Sequence, residues 1–260
     1  MRRAAGISAP AIFGKLPDQR DYVRWRVSAQ QGQVWQRWLN RQTWLGHGRH
    51  IVQPQGPTDA EDTHDGWMRL SPPETPLPEL HHPLPWSFVM APGFLPAGGR
   101  DEWLTGVLVA SRDSVGRPWP LVIYQRTGRE WLEETLPETQ GWLYWLARMA
   151  AQHVSPQPER HGRLAVQTDQ LWAMWQPGSR WTQWLRGLRR VPQRSRILTG
   201  LPDVPVVELP GVRHLPWPGW PGKMLAQAQP GQGWFWQQNS EGRYVDALRL
   251  RVTDNEGSEE

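Results

Sequence analysis

Three apolar runs, Trp86 to Ala91, Trp103 to Ala110 and Trp119 to Gln125, constrain this chain more than any other feature. Each has the length of a β-strand, and Gly/Pro or charged turns separate them. Only Ser111 to Pro118 joins the second run to the third, which is short enough for a hairpin loop. Strands joined that way lie antiparallel, so a purely parallel sheet is ruled out. Helical periodicity flanks the runs. Between Ser28 and Trp44, Val34, Trp35, Trp38 and Leu39 fall on one stripe, with Arg37 and Arg41 turned away and Ser28 placed as N-cap. From Arg129 to His153, Trp142, Trp145, Leu146 and Met149 form a second stripe, and Pro137 splits that stretch into two helices. The expected fold class is α+β, a central, mainly antiparallel sheet with helices 28–44 and 129–153 covering it in an α/β/α sandwich.

Outside this frame the signals are shorter. Ala11 to Gly14 reads as a strand stopped by the Leu16-Pro17 turn, and Leu164-Ala165-Val166 as another. Trp181 to Arg190 has a helical stripe of Trp181, Trp184, Leu185 and Leu188. Ile197-Leu198 and Val204 to Leu209 look like short β segments. Trp234 to Gln238 and Tyr244 to Leu250 are spaced to pair across Asn239 to Gly242. The proline-broken stretch 53–85 is a surface excursion, and 253–260 is an acidic tail expected to fray. Nothing divides the rest cleanly, so 1–252 is expected to be a single domain. With 260 residues the chain is long enough for one large core.

The 19 tryptophans replace much of the usual Phe, Tyr and Ile. Trp35, Trp38, Trp145 and Trp184 sit on apolar stripes and are expected in the core; the competing use is stacking on sugars or bases. Net charge is +4, but the basic residues are spread along the chain, whereas a nucleic-acid binder gathers them on one face. The densest basic stretch, 186–196, reads as a solvated helix end, with an anionic partner surface as the alternative. The absence of cysteine excludes disulfides, thiolate zinc sites and Cys nucleophiles, and agrees with a cytoplasmic setting. No apolar run approaches the roughly 20 residues of a membrane helix, so no membrane insertion is expected.

Catalytic motifs are missing. Gly14-Lys15 and Gly222-Lys223 both lack the upstream Gly and the following Ser or Thr of a phosphate-cradling loop. There is no nucleophile elbow and no dinucleotide loop. His47, His50, His64, His81 and His82 fall in loops that fix no geometry, so no metal or cofactor is expected. Asp18 and Asp21, between Lys15 and Arg24, read as a structured turn before they read as an acid–base pair. Gly116 is placed for positive φ in the hairpin loop, with Arg117 held by Asp21 or Asp113. The residues marked as a binding site are Lys15, Asp21, Arg24 and Arg117, in a partner-contacting or a structural role.

Four segments, in order, resemble one family. Phe13-Gly14-Lys15-Leu16-Pro17 followed by Asp21-Tyr22-Val23-Arg24 is similar to the opening signature of TagF proteins. Trp35-Gln36-Arg37-Trp38-Leu39 resembles their next helix. Trp86 to Gly93 resembles a Trp-x-Phe strand of the family, and Gly106-Val107-Leu108, Ser111, Asp113 to Arg117 and Pro120-Leu121 resemble its Gly-Val-Leu…Val-Gly-Arg block. The match is best over 12–125. Arg20 stands where the family usually has Gly, so that turn should keep negative φ. The resemblance implies a cytoplasmic, non-enzymatic regulator of bacterial type VI secretion. It further implies a post-translational repressor that acts by protein–protein binding, with a forkhead-associated scaffold protein as partner. The alternatives are an enzyme acting on phosphorylated groups, with Lys15, Arg24 and Arg117 as anion ligands, or a Trp-rich module binding nucleic acid or sugar.

Overall fold

Strand β4, Trp103–Val109, is buried along its whole length, and that identifies a sheet covered on both faces. The structure, a computed structural model, describes residues 7–40, 84–95, 102–155, 164–177 and 210–252. Seven strands form one sheet in the order β2-β1-β5-β4-β3-β6-β7, and every neighbouring pair is antiparallel. The strands are β1 (Ala11–Gly14), β2 (Val23–Trp25), β3 (Trp86–Met90), β4, β5 (Leu121–Thr127), β6 (Gln232–Gln238) and β7 (Tyr244–Arg251). The described helices are α1 (Ala29–Asn40), α2 (Arg129–Thr135), α3 (Trp142–Val154), α4 (Leu164–Trp175) and the short α5 (Gly222–Ala226).

Period-two alternation divides the apolar side chains between two layers. Ile12, Val89, Trp103, Val107, Leu121, Ile123, Trp234 and Trp236 face the layer that holds α2, α3 and α4. Phe13, Phe88, Met90, Leu104, Leu108, Val122, Tyr124 and Phe235 face α1. Ser28 starts α1 with a reciprocal cap: its hydroxyl accepts the Gln31 N–H at 3.2 Å, and Gln31 Oε1 accepts the Ser28 N–H at 3.0 Å. The apolar stripe of α1 then lays Trp35 onto Phe88 and Tyr124, with ring centroids 5.9 and 5.0 Å apart. On the opposite layer Trp142 meets Trp172 at 5.1 Å, and Trp131 meets Trp172 at 5.9 Å.

The expected α+β sandwich is thus observed, and so is the antiparallel pairing of 103–109 with 121–127. The C-terminal hairpin and the break between α2 and α3 at Pro137 also stand. Three expectations need correction. Leu164-Ala165-Val166 is the first turn of α4 and not a strand. Trp119 and Pro120 precede β5 and are not part of it. Trp38 and Trp145 are half-buried against the core, whereas Trp35 is fully buried. Strand β2 was not anticipated. The segments 181–190 (with Trp184), 186–196, 197–198, 204–209 and 253–260, most of 53–85, and the five loop histidines lie outside the described residues.

Apart from Trp25, the described tryptophans are buried or half-buried in the packing. Among the described residues Trp25, 41% exposed, is the one exposed tryptophan. No described helix is long and apolar enough to cross a membrane.

Candidate functional site

Because β1 and β4 both run antiparallel to β5, their C-terminal ends point the same way. The turn after β1, residues 15–22, and the hairpin loop after β4, residues 110–120, therefore lie at one end of the sheet. Gly14 fixes how closely they meet. Its φ is +138°, and a Cβ there would sit 2.2 Å from the Pro120 carbonyl oxygen. The Ser111 hydroxyl then donates to the Lys15 carbonyl at 2.8 Å, and the Ser114 N–H donates to the Gln19 carbonyl at 2.9 Å.

At the centre is the Asp113 carboxylate, fully buried, with all its acceptor capacity used. Oδ2 accepts the Lys15 ammonium at 2.8 Å and Arg117 Nε at 2.6 Å. Oδ1 accepts the backbone N–H groups of Val115 at 3.1 Å and Arg117 at 2.8 Å. Gly116, at φ +85°, turns the chain so that both N–H groups point inward. Burial pushes the Asp113 carboxyl up, but the Lys15 ammonium, the Arg117 N–H and guanidinium and the Val115 N–H outweigh it. Together they hold the group well below the usual carboxylate range. Lys15 is itself buried, and its ammonium lies 5.5 Å from the Tyr22 ring centroid. Tyr22 stacks on Phe13 and meets Trp119 edge-on, which closes the clamp on the α1 side.

The clamp makes acid stability a measurable property. Asp113 titrates lower in the folded chain than in the unfolded chain. Its stabilising contribution is therefore complete above the unfolded carboxylate pKa of about 4 and is lost as pH falls below it. In urea unfolding between about pH 5 and pH 2, wild-type stability should fall on acidification. Asp113→Asn should be less stable at neutral pH and show a shallower acid slope. Equal slopes would assign acid lability to other carboxylates.

Lys15 and Arg117 meet, but through Asp113 rather than around an open space. Arg117 Nη2 also donates to the Arg20 carbonyl at 3.0 Å, while its side chain stays 61% exposed. Of the two carboxylates considered for Arg117, Asp113 is the partner. Asp21 is exposed and makes no side-chain hydrogen bond with a described residue. Arg24 stands on β2, opposite Phe13 in register, with its guanidinium 6.0 Å from that ring. Of the three anion ligands considered, Lys15 and Arg117 already hold the Asp113 carboxylate between them. Arg20 keeps negative φ as expected; Arg26, at 56°, is the positive-φ non-glycine residue among those described.

Sequence reasoning missed the Lys15–Asp113 pair. Its members are 98 residues apart, and Asp18 and Asp21 lie nearer to Lys15 in sequence. It also missed the Arg26 guanidinium, whose Nη1 and Nη2 donate to Asp169 Oδ1 and Oδ2 of α4 at 2.5 and 3.0 Å. Among the described residues no group of His, Asp and Glu is arranged to hold a metal ion.

Comparison with known proteins agrees with the sequence reading. Residues 68–171 match the TagF N-terminal domain, type VI secretion system-associated. The chain therefore carries a TagF-family domain and is a type VI secretion system-associated protein. The matched span runs from before β3 into α4, so Arg117 lies within it and Lys15, Asp21 and Arg24 precede it. No curated protein matches the chain. The crystal structure of PA0076 from Pseudomonas aeruginosa PAO1 is similar over 93% of this chain and 87% of that one, at 17% identity and a TM-score of 0.44. A likeness of that degree carries no functional argument.

Proposed function

We propose that this chain regulates type VI secretion from the cytoplasm as a non-enzymatic repressor that sequesters a protein partner. The partner implied by the family resemblance is a forkhead-associated scaffold protein. One observation supports the reading above others: the Lys15–Asp113–Arg117 clamp locks two loops into a fixed surface, and the charges it consumes are structural. Around it, Asp18, Arg20, Asp21, Arg24, Arg112 and Val115 stay exposed. A rigid surface that mixes charged and apolar side chains is the composition transient interfaces use. Binding there needs no reorganisation of the loops, which lowers the cost of association.

Sequestration works by mass action, so suppression requires a concentration above both that of the partner and the dissociation constant. Overproducing the wild-type protein should suppress secretion of the tube protein without lowering the amounts of the machine's components. Charge reversal at Arg24, exposed on β2, should weaken that suppression while leaving the melting temperature within about 2 °C. Wild-type suppression absent altogether would remove the repressor reading. Suppression by Arg24→Glu as strong as wild type would move the interface off β2.

A further inference from the structure

The charges at the clamped end of the sheet can be counted group by group. Lys15 and Asp113 are buried against one another and cancel. Arg117 touches the same carboxylate, so the three-residue cluster keeps one positive charge, carried by a guanidinium that remains largely in solvent. Arg20, Arg24 and Arg112 are exposed around it, and none forms an ion pair with a described residue. The exposed carboxylates of the two loops are Asp18 and Asp21. Over these two loops and Arg24, four arginines stand against two aspartates, which leaves two net positive charges there. Val115, 57% exposed, stands among them at the tip of the hairpin loop.

We propose that this surface binds an acidic segment of a protein partner, with an apolar side chain of that segment resting on Val115. The proposal rests on the regulatory reading above and names the chemistry of the partner's contact. A protein segment fits better than a lipid or nucleic-acid surface because of the two exposed aspartates. A continuous array of phosphates would be repelled by Asp18 and Asp21, whereas a peptide of mixed sequence can place its own polar groups opposite them. Arginine suits such a contact, since its fork donates two parallel hydrogen bonds to a carboxylate. The surface is also pre-organised. Ser114 and Arg117 hold the 17–21 turn through the backbone carbonyls of Gln19 and Arg20, so the Arg20 side chain takes no part in keeping the loops together.

That last point gives a clean variant. Arg20→Glu with Arg112→Glu reverses two exposed charges and leaves every clamp bond in place. Arg213→Glu with Arg251→Glu makes the same change in net charge at exposed positions away from the two loops. The probe is a fluorescein-labelled 12-residue peptide of glutamate interleaved with leucine, titrated with the full chain and read by anisotropy. The Arg20/Arg112 variant should lose at least about tenfold in affinity and the control pair less than about twofold, with wild-type binding weakening as salt shortens the Debye length below about 8 Å. No wild-type binding, equal loss in both variants, or equal binding of a lysine–leucine peptide would overturn the proposal. So would phosphatidylserine vesicles or duplex DNA binding as tightly with the same sensitivity to Arg20 and Arg112. Secretion assays separate this proposal from the reading it rests on. If the Arg20/Arg112 variant loses the peptide yet still suppresses secretion, the partner is captured elsewhere and this surface assignment fails. If the wild type binds the peptide and does not suppress, the repressor reading fails and the surface stands.

Discussion

Gly14→Ala is expected to destabilise the protein by about 3–5 kcal/mol, whereas Gly116→Ala in the neighbouring loop should cost about 1 kcal/mol. Both glycines have positive φ, +138° and +85°, so both substitutions carry a backbone penalty. They differ in what surrounds them. A Cβ on Gly116 meets nothing within 4 Å. On Gly14 it would stand 2.2 Å from the Pro120 carbonyl oxygen and 2.7 Å from the Leu121 Cα, both backbone atoms of the chain entering β5. Neither atom can turn aside as a side chain would, so β1 and β5 must part at the point where the Lys15–Asp113 clamp begins. Urea midpoints of the two variants are the direct comparison. Similar losses in both would mean that φ alone matters and that the close approach of β1 to Pro120 is unimportant.

The same contrast between local and distant information explains which parts of this molecule could be read from its residues. Strands β3, β4 and β5 and the final hairpin were legible because each is a contiguous apolar run bounded by turn residues. The helices α1 and α3 were legible because their tryptophans recur at helical spacing. Helix α4 misled for a physical reason. Leu164, Ala165, Val166, Leu171, Trp172, Ala173, Met174 and Trp175 leave it apolar nearly all round, which erases the stripe that marks a helix. A short apolar opening that contains a β-branched Val then reads equally well as a strand. Strand β2 escaped because three residues, with Arg24 and Trp25 exposed, carry too little alternation to register.

At the candidate site the division is sharper. The Gly-Arg turn after Asp113 announced a positive-φ glycine and a carboxylate for Arg117, both local features. The partner of Lys15 depends on β1 and β4 ending at the same side of the sheet, and nothing within either segment encodes that. Family resemblance marked Lys15, Asp113 and Arg117 as residues of interest without saying that they bind one another. Only the strand order assigns them to a clamp and sets Arg20, Arg24 and Arg112 beside it as arginines outside the clamp that a partner can reach.

Trp35→Ala tests the other half of the architecture, the layer beneath α1, and should cost about 3–5 kcal/mol. Trp35 is 0% exposed, and its indole touches Trp38, Phe88 and Tyr124, so one side chain joins α1 to strands β3 and β5. Gly32, one turn earlier, lets the helix close down on Phe13: a Cβ there would already lie 3.3 Å from the ring. With backbone packed that tightly, the helix cannot slide to fill the space an indole leaves, and the cavity term adds to the lost burial. Trp25→Ala is the matched control, since it removes the same side chain from an exposed position on the sheet edge. Its effect should stay within about 0.5 kcal/mol. Against the 5–15 kcal/mol typical of a folded domain, a loss of the expected size at Trp35 should lower the melting temperature by about 10 °C or more and reduce soluble yield. Thermal unfolding of the two variants side by side is the decisive measurement. If Trp35→Ala melts with Trp25→Ala, α1 is not anchored through its tryptophan, and the aromatic layer on that face owes its stability to Phe13, Phe88 and Phe235.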